Sequence, residues 1–233
     1  MILTKIFKQV FVFLAIITLL FSCSELFAHG VDENTKKFLI GNDGVAIFPY
    51  LYIGAKHMVT GYDHLLFILG VIFFLYRGKD ILIYVSLFTL GHSITLLSGV
   101  LADIQMNAYL IDAVIGFSII YKGFDNLGGF KKLMGYQPNT KLAVLIFGLF
   151  HGFGLATKIQ EFEIAENGLI SNLVAFNIGV EIGQVLALGL VMILLAYIRK
   201  SPVFNNAAVI TNTALMSAGL MLMLFQLTSY AFQ

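Results

Sequence analysis

The feature that most restricts this chain is a succession of apolar stretches at about 51–76, 81–101, 108–127, 141–157, 170–198 and 207–231. A helix needs about 20 such residues to cross the hydrocarbon core of a bilayer. No water reaches backbone amides and carbonyls there, so each stretch is expected to close its hydrogen bonds within itself as a helix. The expected fold is therefore all-α: a polytopic membrane helix bundle of about six transmembrane helices. Composition agrees, with 59% of the 233 residues hydrophobic and 12% charged and a mean hydropathy of +0.90, far outside soluble averages. With 14 basic and 13 acidic residues the charge is balanced, which gives no electrostatic footprint for nucleic acid. The lipid bilayer is the expected surrounding, and no nucleic-acid partner is expected.

The first 28 residues read as a secretory signal. Lys5 and Lys8 precede the apolar run Val10 to Phe21, and a small residue, Ala28, closes the segment. Cleavage there would expose His29, whose terminal amine and ring can chelate a metal together. A competing cut lies at Leu20-Phe21-Ser22-Cys23, a loose lipobox in which the bulky Phe21 fits poorly. Residues 29–46 form a short polar segment on the exported side, and 47–233 the transmembrane domain. Basic residues in short loops mark the cytoplasmic side. Arg77 and Lys79, then Lys122, Lys131, Lys132 and Lys141, then Arg199 and Lys200 alternate with loops that carry only Lys158. This predicts a bacterial inner-membrane protein with its mature N-terminus and its C-terminus on the outer side, together with the acidic group Glu161, Glu163 and Glu166.

Ionisable side chains at membrane depth are costly unless paired, solvated or ligated. Four of the five histidines nevertheless fall inside expected spans: His57 and His64, close to Asp63, in the first, His92 in the second and His151 in the fourth. On a straight helix His57 and His64, seven residues apart, share a face, while Asp63, offset by about 100°, is expected as an outer-shell partner or a second ligand. In the fifth span Asn177, Glu181 and Gln184 fall at i, i+4 and i+7, which predicts a polar stripe with a carboxylate at its middle. A lone intramembrane histidine can simply hydrogen-bond across helices. Four, with an aspartate and a glutamate, point to metal or proton chemistry. Imidazole with carboxylate suits nickel, cobalt, zinc or iron(II), and the lack of a usable thiolate disfavours copper(I) or an iron–sulfur cluster. Met58 is read as a packing group, Ser93, Thr89 and Thr95 as packing groups with back-bonded hydroxyls, and Asp112 as a lining residue of an entry path or an interface group. Gly54, Gly61, Gly91, Gly152, Gly154, Gly179 and Gly183 lie beside these polar positions, where small residues allow close helix approach. The fourth span, short and glycine-rich, is expected to be broken or tightly packed. A weak echo, Phe88-Thr-Leu-Gly-His92 and Phe147-Gly-Leu-Phe-His151, links two spans expected to run the same way. No phosphate loop is present, so ATP hydrolysis is not expected.

The ordered motifs His57-x-x-x-Gly61-x-Asp63-His64, Phe88-Thr-Leu-Gly-His92-Ser93, His151-Gly152-Phe-Gly154 and Phe176-Asn177-x-Gly179-Val-Glu181-x-Gly183-Gln184 resemble the HupE/UreJ family. The resemblance runs from about residue 47 to the C-terminus. It implies a nickel or cobalt permease, or an accessory of hydrogenase or urease maturation, with metalloenzyme-maturation proteins as partners. The first motif is similar to the His-x4-Asp-His signature of nickel/cobalt permeases, but the spacing here is His-x5-Asp-His, and Met58 replaces a proline frequent in the family. The site expected from residues and resemblance together is His57, Asp63, His64, His92, His151 and Glu181, with His29, Asn177, Gln184 and Asp112 secondary. Two other readings stay open: an intramembrane zinc-dependent hydrolase and a non-transporting metal-binding accessory protein.

Overall fold

A computed structural model describes residues 37–39, 41–160, 167–200 and 204–232. The expected signal segment, His29 and the acidic residues at 161–166 lie outside the described residues. The described elements are helical: α1 (Ile47–Thr60), α2 (Tyr62–Ile72), α3 (Gly78–Leu101), α4 (Ala108–Asn126), the short α5 (Gly129–Met134), α6 (Thr140–Gln160), α7 (Leu169–Arg199) and α8 (Phe204–Ala231). Four of them, α3, α6, α7 and the segment Asn206–Ala231 of α8, are long and apolar enough to cross a membrane. The chain is a multi-pass membrane protein.

One expectation about the spans needs correction, and one is resolved between its alternatives. The first span is not continuous: Gly61, at φ −75° and ψ 95°, interrupts it and separates α1 from α2. Gly61 N–H still bonds the His57 carbonyl at 2.9 Å, and the Gly61 carbonyl accepts from Leu65 N–H at 3.1 Å. The chain turns there while losing few helical bonds. The fourth span, by contrast, is an unbroken 21-residue helix. Its glycines serve close packing.

Helix pairs set the architecture. Along α3 and α6, Phe88 meets Gly148, Gly91 meets Leu145 and Leu149, His92 meets Gly152, and Gly99 meets Ala156. Residue numbers at these contacts rise together, so the two helices run parallel. In the same way Leu51 meets Gly179, and Ala55 and Met58 meet Gly183, which makes α1 and α7 a second parallel pair. Each pair is held by a Gly-x-x-x-Gly, Gly148 with Gly152 and Gly179 with Gly183. With no hydrophobic force between helices in lipid, such close van der Waals contact drives association. The pair of α4 and α8 is antiparallel, crossing where Gly116 meets Gly219 and Met223.

The short helix α2 sits inside this frame. Its last carbonyls would be unsatisfied at depth, but Arg199 Nη2 donates to Ile72 O at 2.7 Å and Phe73 O at 2.6 Å. Asn126 Nδ2 donates to Gly70 O at 2.7 Å. At the other end of the bundle Asn172 holds the approach to α1, accepting from Ala46 N–H at 2.7 Å and donating to Gly44 O at 2.9 Å. Both ends of the broken span are therefore fixed by polar side chains of continuous helices.

Candidate metal centre

The break at Gly61 controls the geometry of the site. On a continuous helix His57 and His64 would stand about 10.5 Å apart along the axis. Here their ring centroids are 5.1 Å apart, because the chain turns between them. Asp63 stands one residue before His64 on α2 and reaches its ring as a partner. It is 0% exposed and its Oδ1 lies 3.0 Å from His64 Nδ1.

His64 is the hub. Its ring centroid lies 4.9 Å from that of His151 and 6.2 Å from that of His92, so α2, α3 and α6 converge on it with α1. His64, His92 and His151 are each 0% exposed; His57 is half-buried. In the group His57, His64 and His92, and again in the group Asp63, His64 and His151, one potential ligand atom from each residue lies within 4.8 Å of the others.

Hydrogen bonds to the rings fix their chemistry. The Phe147 carbonyl, 2.7 Å from His151 Nδ1, can only accept, so Nδ1 donates, and in the neutral ring Nε2 holds the lone pair. An ionised Asp63 carboxylate does the same for His64. A carboxylate or carbonyl on one ring nitrogen, orienting the other, is the usual support of a metal-bound imidazole. Phe88 and Phe67 wall the group, with ring centroids 4.9 Å and 5.6 Å from that of His151, and Phe176 lies 5.9 Å from His57. This apolar wall strengthens electrostatic interactions inside it.

The expected polar stripe on α7 is not part of the group. Ser93 Oγ donates to Asn177 Oδ1 at 2.9 Å and Thr89 Oγ1 to Gln184 Oε1 at 2.5 Å. Asn177 and Gln184 thus bind α7 to α3. Thr89 and Ser93 bond across helices rather than back onto their own, and Thr95 does both, donating to Gly91 O at 3.1 Å and to Leu149 O at 2.7 Å. Glu181 is exposed. It stands two residues, about 200°, from both Gly179 and Gly183, whose Cα atoms face α1. It therefore turns away from the packed side of α7. Asp112 is buried at another level, paired with Lys158.

Sequence reasoning misses the aromatic wall as part of the site. Part of its signal is present in the echo: Phe88 stands four residues before His92, one helical turn away. Asn172 carries no such signal.

A family model described as HupE / UreJ protein matches residues 33–233. The chain belongs to the HupE/UreJ family. No curated protein and no solved structure matches it. Membership covers α1 to α8 and includes every histidine and carboxylate of the buried group. For a HupE/UreJ protein made of apolar helices, a metal-related accessory or transport role is consistent with that group.

Proposed function

We propose that this HupE/UreJ protein is a permease for a divalent transition metal, nickel or cobalt before zinc, and that His57, His64, His92 and His151, with Asp63, form the station at which the ion pauses. The convergence on His64 carries the reading: ligand atoms from four helices meet at one imidazole in an apolar interior. Nitrogen-rich donors of intermediate softness suit these metals. Ligands on separate helices can be exchanged as the helices shift, which favours reversible passage over permanent retention. The charge pattern of the loops supports the inner membrane as location, with the ends of α3 and α6 toward the outside.

The test is uptake of radiolabelled nickel and cobalt into proteoliposomes. Wild-type protein should accumulate the ion, and His64→Ala should reduce the rate by at least about a hundredfold, since two groupings lose their shared ligand. Equal rates would sink the proposal. A zinc hydrolase is favoured only by the buried Asp63 beside His64, which offers a base. Tightly held zinc and chelator-sensitive lipid or ester cleavage without ion flux would select that reading. Binding without flux or cleavage would select an accessory protein.

A further inference from the structure

Asp112 and Lys158 join α4 to α6 at the end of the bundle where α3 and α6 finish. Lys158 Nζ lies 3.1 Å from Asp112 Oδ2, and Gln226 Nε2 of α8 donates to the same oxygen at 3.3 Å. The Lys158 side chain is 16% exposed and that of Asp112 6%, between the fully enclosed histidines and the surface. Along α6, Lys158 follows His151 by two turns, about 10.5 Å. Asp112 Oδ1 lies 3.6 Å from the point where a Cβ on Gly154 would stand, one turn from His151. The Asp112 carboxylate thus lies against α6 at Gly154, about one helical turn beyond His151 along that helix, and an ammonium sits on it.

The other end of α4 carries a pair of a different kind. Lys122 Nζ lies 2.6 Å from Asp125 Oδ2, with Gln137 Nε2 2.8 Å from Oδ1, beside a cavity of about 240 Å³. Both members belong to one helix, so the pair survives any separation of α4 from its neighbours. Asp112 and Lys158 stand on different helices. That pair has to yield if α4 and α6 part.

We propose that Asp112 is a second cation station and Lys158 its tethered competitor. The ammonium occupies the carboxylate while no ion is passing, and an arriving divalent cation displaces it before moving on to His151 and His64. No covalent step is involved: one cation replaces another at a carboxylate. The inference rests on the permease reading.

The experiment follows cobalt(II) binding to purified full-length protein by its visible absorption, with stopped-flow mixing for entry and chelator-driven release for exit. Wild type is compared with Lys158→Met and with the neutral pair Asp112→Asn/Lys158→Met, which removes both members of the ion pair together and keeps the test valid if the single variant misfolds. Release should accelerate about tenfold in both variants, while entry should be fastest in Lys158→Met and about tenfold slower in the double variant, which has lost the carboxylate. The bound spectrum should be the same in all three. A wild-type release rate in the double variant overturns the proposal, as does equal entry in the two variants. If wild-type protein gives no cobalt spectrum, the metal reading itself fails, an outcome distinct from altered rates at an intact site.

Discussion

Histidines reach the buried group by two routes. On α3 and α6 each continuous helix supplies one, His92 and His151, and each is brought to His64 by a pair of helices whose glycines let the backbones press together. On α1 and α2 a single stretch of chain supplies two, His57 and His64, because an extended residue folds about 10 Å of helical rise back on itself. The first route depends on packing between helices, the second on one backbone conformation. Steric insults should therefore act on different observables in the two regions. Damage to the helix pair should appear as lost stability, damage at the break as lost ligand geometry.

The largest effect is expected for Gly152→Val. A Cβ there falls on the His92 carbonyl and on Thr95 Oγ1, so α3 and α6 must separate. Overpacking of this kind costs about 3 kcal/mol, and the melting temperature in detergent should fall accordingly. Asp63→Asn comes next. It keeps the shape but removes the carboxylate that orients His64, and losing such support weakens metal affinity about 10- to 100-fold, read by cobalt(II) titration with the melting temperature little changed.

Gly61→Ala sharpens the contrast. At φ −75° alanine is unstrained, but its Cβ would lie 2.8 Å from His64 Nδ1. Cobalt affinity should fall about tenfold, a loss near 1.4 kcal/mol, while the protein melts close to wild type. If this variant instead unfolds as readily as Gly152→Val, the proposed difference between the two regions is wrong. The smallest effect is expected for Glu181→Gln, exposed on α7. Uptake and affinity should stay within about twofold of wild type; a large loss would return Glu181 to the path.

Much of the buried group is legible in the amino-acid sequence. Ionisable residues are so unfavourable in lipid that His64, His92 and His151 stand out by position alone, and the glycines beside them foretell close packing. What helical periodicity misjudges follows from its own premise. It assumes an unbroken helix through Gly61, so it sets His57 and His64 about 10.5 Å apart along the axis, where the structure has their ring centroids 5.1 Å apart. It also groups Glu181 with Asn177 and Gln184, because a stripe at i, i+4 and i+7 is broad. Which edge of that stripe faces a neighbour depends on the rotation of α7, and the contacts of Gly179 and Gly183 with α1 set it.

The sequence by itself determined a helical membrane chain, the family, and the residue types of the buried group, because hydropathy and the cost of buried charge are local properties of the chain. Tertiary structure alone decided that α3 packs against α6, that Gly61 is the break, that His64 is the shared hub and that Glu181 stands outside. Those depend on where helices touch, and contact between helices is set by shape across segments distant in sequence, to which periodicity within one segment is blind.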